Sequence, residues 1–177
     1  MRIGLDVMGG DHAPQVILDG IPMGLSHLGD DDQLVLFGDQ SIIEAWLKDN
    51  DCNDPRVEVI GTTQSVSMDE SPVEAVRTKS DSSLVVLCRE ASKKSENGQL
   101  DVVISAGNTG AFVAAAQMHM RRMPSVARPG IAAVIPTFGG PVTFIDVGAN
   151  IEPKPHHLVQ YGVMGSVYAS HMLGIDS

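Results

Sequence analysis

Aromatic residues make up only 4% of the 177 positions, so the core of this chain must be built from aliphatic side chains and methionine. Cysteine occurs twice, at Cys52 and Cys88. Neither belongs to a C-x-x-C pair or has a histidine at zinc-ligand spacing, which leaves reduced thiols as the default. No apolar run approaches the roughly 18 residues of a transmembrane helix, and Gly4 and Asp6 come too early for a signal-peptide apolar region. Positive charge is the minority, with 12 Lys and Arg against 22 Asp and Glu and a net charge of −10. That field repels nucleic acid and anionic membrane surfaces, so any anionic ligand must be captured by a local site. The expectation is a soluble, cytoplasmic protein.

Several fingerprints are also missing. There is no G-x-G-x-x-G dinucleotide turn, no G-x-x-x-x-G-K-[ST] loop and no G-x-S-x-G elbow. No Asp, Glu, His or Cys grouping has metal-ligand spacing, and His156 and His157 are adjacent on a helix start, where surface positions are expected. Neither a metal nor a cofactor is expected.

What is present is 43% hydrophobic residues and 18 glycines without low-complexity runs, the texture of an α/β enzyme with many tight turns. Length favours a single domain over residues 1–177. Short apolar runs alternate with helix-length segments, the pattern of βα units around a mainly parallel sheet. Strands are expected at 2–7, 33–38, 56–61 and from 101, with two more (130–138 and 141–148) flanking the Gly139-Gly140 turn. Helices are expected over 14–28, over 41–49 with Ser41 as N-cap and Glu44 three residues on, from Pro72 to about Glu96, after Asn108 or Thr109, and over 155–173. The polar segment "TTQSVSMDESP" reads as a surface loop. The last helix carries Leu158, Tyr161, Met164, Tyr168 and Met172 at helical spacing, and the chain stops just after it at "GIDS". It is expected to be a fragment of a longer α/β protein.

Two glycine turns hold the chemistry. In "SAGNTGA" (105–111), Gly107 and Gly110 permit close ligand approach, while the amides of a helix start and the side chains of Asn108 and Thr109 can bind an anion. An ordinary strand-to-helix turn with an N-cap fits the same letters. In "LDVMGGDHAP" (5–14), Gly9 and Gly10 form the turn and Asp11 and His12 lead into the first helix. Either Asp11 caps that helix and Asp6 bonds to backbone, or the glycine amides line a site where His12 or Asp6 orients a reactant. Counter-charge for an anion is available from Arg121, Arg122 and Arg128 and from Arg77 and Lys79, of which Lys79 and Arg128 sit in turn-like contexts. "DVGAN" (146–150) would bring Asp146, Asn150 and Lys154 to the carboxyl edge of the sheet, where open α/β sheets bind ligands.

Taken in order and spacing, "LDVMGGDHAP", "SAGNTGA", "RPGIAAVIPT", "DVGAN" and "VQYGVMGSVYA" resemble the bacterial phosphate acyltransferases of phospholipid synthesis, the PlsX family. The resemblance covers nearly the whole chain and corresponds to the amino-terminal portion of that family. It implies a three-layer α/β/α fold like those of phosphate acetyltransferases and of isocitrate and isopropylmalate dehydrogenases. It also implies transfer of a long-chain acyl group from acyl carrier protein to inorganic phosphate, with a homodimer and peripheral membrane association for the full-length protein.

Phosphate is itself a nucleophile and a thioester has a good leaving group, so no Ser or Cys nucleophile is needed. Under this resemblance Asn108, Thr109 and the Gly107–Gly110 amides hold phosphate, helped by Asp11 and Asn150, with Lys79 or Arg128 neutralising charge. An amide near Gly9 or Gly10 stabilises the oxyanion, His12 protonates the leaving sulfur, and Arg121 and Arg122 dock the acidic carrier protein. The alternatives are a short-chain phosphate acetyltransferase using coenzyme A thioesters and a non-catalytic fragment.

Overall fold

The computed structural model describes residues 1–92, 95, 98–148, 150 and 152–175. The chain divides into two compact units, Met1–Arg121 and Arg122–Ser177.

The first unit is built on four parallel strands, β1 (Arg2–Asp6), β2 (Gln33–Gly38), β3 (Val57–Gly61) and β4 (Val102–Ile104), in the order β3-β2-β1-β4. Strand β2 shows why two layers of helices are needed. Its side chains alternate between faces, as the period of two requires. Leu34 and Leu36 pack with Val7, Leu18, Ile21, Leu25 and Ile43. These come from the start of the chain and from α1 (Gln15–Asp19), α2 (Ile21–Leu25) and α3 (Gln40–Asp49). Val35 and Phe37 pack the other way, against Val86, Leu87, Ala91 and Leu100, under α5 (Ser83–Glu90). A third cluster joins α4 (Pro72–Thr78), α5 and α6 (Thr109–His119) through Ala75, Val76, Leu84, Cys88, Ala111 and Ala115. Each fully buried aliphatic or Phe side chain contributes about 1.5–3 kcal/mol. This is the three-layer α/β/α arrangement.

Three helical segments differ from expectation, each for a local reason. The helix expected over 14–28 is two short helices, because Pro22 in the first turn of α2 has no N–H with which to continue the ladder from α1. The cap of α3 is Asp39, whose Oδ1 accepts from the amides of Ser41 and Ile42, so the Ser41–Glu44 capping box does not form. The helical region from Pro72 is split between α4 and α5 by Lys79–Ser82, where Ser82 is extended and Asp81 accepts from the Thr63 amide and hydroxyl. Its expected end at Glu96 lies outside the described residues.

The second unit pairs β5 (Ala132–Thr137) with β6 (Gly140–Ile145) as an antiparallel hairpin, followed by α7 (Pro155–Leu173). The turn is Phe138-Gly139, with Gly140 at φ +113° already in the strand. Tyr161 is the buried anchor of α7: a Cβ placed on Gly130 would meet Ile145 at 2.8 Å and the Tyr161 ring at 3.2 Å. Met164 and Tyr168 are half-buried, while Leu158 and Met172 on the expected stripe are exposed. His157 corrects the surface expectation: it is buried, and its Nδ1 accepts from the Lys154 amide at 3.1 Å, whereas His156 is exposed. The expected last residues, Asp176 and Ser177, lie outside the described residues. Among the described residues no helix is long and apolar enough to cross a membrane.

Candidate active site

The chain adds β2 and β3 on one side of β1, then returns and places β4 on the other side. The edge between β1 and β4 is therefore the topological switch point of this sheet, and ligands of open α/β sheets bind outside the carboxyl ends of the strands there. Leu5 pairs with Ile104 in parallel register. The residues that follow each of them, Asp6–Gly10 and Ser105–Asn108, are the two glycine turns singled out in the sequence.

These turns touch. A Cβ added to Gly107 would lie 3.1 Å from the Cα of Gly9, and one added to Gly9 would lie 2.4 Å from Asp6 Oδ2. A side chain at Gly9 would force Asp6 to move, and one at Gly107 would crowd the Gly9 backbone. Asp6 is buried; its Oδ2 accepts from Ser105 Oγ at 2.7 Å and its Oδ1 from the Met8 amide at 3.1 Å. The Gly107 amide donates back to Ser105 Oγ at 3.1 Å. Gly10 turns with φ +127° beside Ala106.

Asn108 caps α6, with Oδ1 accepting from the Ala111 amide at 3.0 Å. Its Nδ2 donates to the carbonyls of Ser67, Met68 and Glu70 at 3.3, 3.1 and 3.1 Å. The side chain is thus fully engaged in holding the 62–71 loop against the helix start. The amides of Thr109 and Gly110, which an α-helix leaves without partners, receive none among the described residues, and the Thr109 side chain is exposed. Gly110 has a packing reason: a Cβ there would be 2.7 Å from Cγ of Pro72, where α4 crosses α6.

Lys79 anchors the same loop. Its Nζ donates to Glu70 Oε1 at 2.6 Å and to the Ser65 carbonyl at 2.8 Å. The ammonium, followed by the Ser67 amide, holds the Glu70 carboxyl below its ordinary value. Asp11 and His12 are exposed. Asp11 does not cap the first helix, because α1 begins after Pro14 with no side-chain cap; the other half of that reading, Asp6 bonded to backbone, is present.

Arg128 and Asn150 belong to the second unit. Asn150 Nδ2 donates to the Pro129 carbonyl at 3.1 Å and to Asp146 Oδ1 at 3.2 Å, and Arg128 Nη1 reaches Asn150 Oδ1 at 3.5 Å. Asp146 follows β6, so the strand that leads to it belongs to the antiparallel hairpin and not to the parallel sheet. Arg121 and Arg122 are exposed, and the Arg122 guanidinium donates to the Ala127 carbonyl.

Two neighbours of these turns escaped the sequence reading, Ser105 and Glu70. Ser105 becomes visible only when β1 and β4 are known to be adjacent, and Glu70 only when the loop is seen to fold onto Asn108. Among the described residues no cluster of three or more His, Cys, Asp or Glu could hold a metal ion.

The arrangement is a switch-point floor of backbone amides with little free positive charge. Relatives carry the same stretch of chain. A curated phosphate acyltransferase of Streptococcus suis is 40% identical over 175 residues, 98% of this chain and 50% of its own length. One from Geobacillus sp. is 42% identical over 176 residues, 99% of this chain and 51% of its own. The Bacillus subtilis phosphate acyltransferase is 39% identical over 178 residues, 100% of this chain and 51% of its own. The chain therefore spans about half the length of the curated relatives it matches. The family described as fatty acid synthesis protein matches residues 1–177 throughout, and the chain belongs to that family.

Proposed function

We propose that this chain forms the amino-terminal half of a phosphate acyltransferase that moves a long-chain acyl group from acyl carrier protein to inorganic phosphate. The observation that carries the reading is the meeting of the Gly9-Gly10 and Ser105–Gly107 turns at the β1/β4 switch point, beside the open amides of Thr109 and Gly110. Helix-start amides hold anions without a lysine. In the reaction a phosphate oxygen attacks the thioester carbonyl, and a tetrahedral oxyanion forms. The C–S bond then breaks, releasing acyl phosphate and the carrier's thiol. An amide at Gly9 or Gly10 faces the oxyanion, an effect worth about 3 kcal/mol per donor, and exposed His12 supplies the proton to the leaving sulfur.

The structure changes the division of labour in this proposal. Asn108 serves by fixing α6 and the 62–71 loop, since its amide has no free donor, while Thr109 supplies a hydroxyl and an amide. Lys79 neutralises phosphate by exchanging Glu70 for it. Arg128 and Asn150 stay in the proposal through their sequence motifs, and Arg121 and Arg122 as docking groups for the carrier. The same reading brings a homodimer and peripheral attachment to the inner membrane.

Acyl phosphate formation from a long-chain acyl-acyl-carrier-protein and inorganic phosphate, trapped with hydroxylamine and assayed with the longest form of the chain its gene encodes, tests this. Better use of acetyl-CoA would move the protein to the short-chain reading. No phosphate-dependent thiol release from either thioester would overturn both.

A further inference from the structure

We propose that Asp6 and Ser105 are a positioning pair that sets the geometry of the phosphate site, an inference that rests on the function proposed above. The two residues are 99 positions apart and are joined by a 2.7 Å hydrogen bond at the ends of neighbouring strands. They link one turn to the other in an unbroken series: the Met8 amide donates to Asp6, the Ser105 hydroxyl donates to Asp6, and the Gly107 amide donates to Ser105. The hydroxyl proton is committed to the carboxylate, so the serine oxygen is left as an acceptor for the second turn.

Two further facts separate this pair from ordinary packing. Asp6 is 1% exposed, and the described partners of its carboxylate are a hydroxyl and an amide, neither of them a cation. Burying a carboxylate on such terms is costly, and an apolar residue would serve a purely structural role at less cost. The pair also touches both turn backbones. A Cβ at Gly9 would lie 2.4 Å from Asp6 Oδ2 and 2.9 Å from Ser105 Oγ, and one at Gly107 would lie 3.2 Å from Ser105 Oγ. A shift of either side chain therefore moves the glycines, and with them the amides that lead into Gly10 and into the first turn of α6. The pair acts through those amides and is not assigned contact with phosphate.

The test is a titration of the purified chain with inorganic phosphate observed by 31P resonance. It compares wild type, Ser105→Ala, Asp6→Asn and Ser105→Thr, with amide hydrogen exchange at Met8 and Gly107 in each. Ser105→Ala and Asp6→Asn should weaken phosphate binding by about tenfold and speed exchange at Gly107, while Ser105→Thr, which keeps the hydroxyl, should stay within about threefold of wild type. Wild-type affinity in folded Ser105→Ala overturns the proposal, as does a folded Ser105→Thr that fails like alanine. If Ser105→Ala does not fold, Asp6→Asn carries the same comparison, because its Oδ1 can still accept from the Met8 amide while its Nδ2 cannot accept from the Ser105 hydroxyl. If wild type binds no phosphate, the functional reading fails by itself. The pair is then judged by exchange alone, and equal Gly107 protection in wild type and Ser105→Ala overturns it.

Discussion

The side-chain amide of Asn108 donates to the backbone carbonyl of Glu70 at 3.1 Å, and the Glu70 carboxylate in turn accepts from Lys79 Nζ at 2.6 Å. Two residues that the sequence offered to phosphate are thus both engaged by one loop.

Asn108 should consequently be a stability residue first. Asn108→Ala removes the N-cap of α6, worth ~1 kcal/mol, and leaves three loop carbonyls without their shared donor. A loss of about 2 kcal/mol in urea denaturation is expected. Asn108→Asp keeps the cap acceptor and loses the donors, so it should fall between alanine and wild type. An alanine variant as stable as wild type would return Asn108 to the role of a free ligand.

The loop should also respond to pH in one direction. Glu70 titrates below its ordinary value because of Lys79 and then the Ser67 amide. A carboxyl with a lower pKa folded than unfolded binds fewer protons in the native state. Its contribution is complete above the unfolded value near 4.3 and is lost as pH falls through the folded value. The chemical shift of the Ser67 amide, which donates to Glu70 at 2.7 Å, should stay flat from neutral pH down and titrate only below the usual glutamate range. Glu70→Gln should remove that titration. A Ser67 shift that moves with an ordinary glutamate pKa would contradict the pairing.

Glycine substitutions should divide sharply by site. Gly9→Ala drives a methyl to 2.4 Å from Asp6 Oδ2, and Gly110→Ala drives one to 2.7 Å from Pro72 Cγ; overpacking of this kind costs about 1–3 kcal/mol. Gly162, within α7, has nothing within 4 Å of its added Cβ, so Gly162→Ala should stabilise the chain by about 0.5–1 kcal/mol through helix propensity. Thermal melts of the three variants give the ranking, and a Gly9→Ala protein that melts with wild type would remove the close contact of the two turns.

How far the sequence reached depends on which interactions are local. The strand "QLVLFG" and the last helix are read at their full extents because alternation and helical spacing are written in neighbouring residues. The turn at Ser105–Asn108 is found for the same reason, and its pairing with Gly9-Gly10 follows from the family resemblance. The roles of individual side chains are not local. Asn108 finds Glu70 38 positions away, and Ser105 finds Asp6 99 positions away, because strand order sets those meetings. The break at Pro22 was open to local reasoning, since a proline past the first turn of a helix removes a ladder bond.

Cys88 offers a last check on the interior beneath the site. Burial, and secondarily the charge of Asp6, pushes its thiol up to about 12, and the side chain is 0% exposed. Reactivity needs the thiolate and access to it, and Cys88 has neither near neutral pH. Cys52 is half-buried. A thiol-disulfide reagent at pH 8 should therefore titrate one cysteine in the native chain, with the second appearing only as urea unfolds it. Asp6→Asn removes the smaller of the two causes and keeps the burial, so it should leave Cys88 unreactive as long as the fold holds. Rapid labelling of both thiols in the native protein would mean that α4 and α6 do not pack over α5 as described.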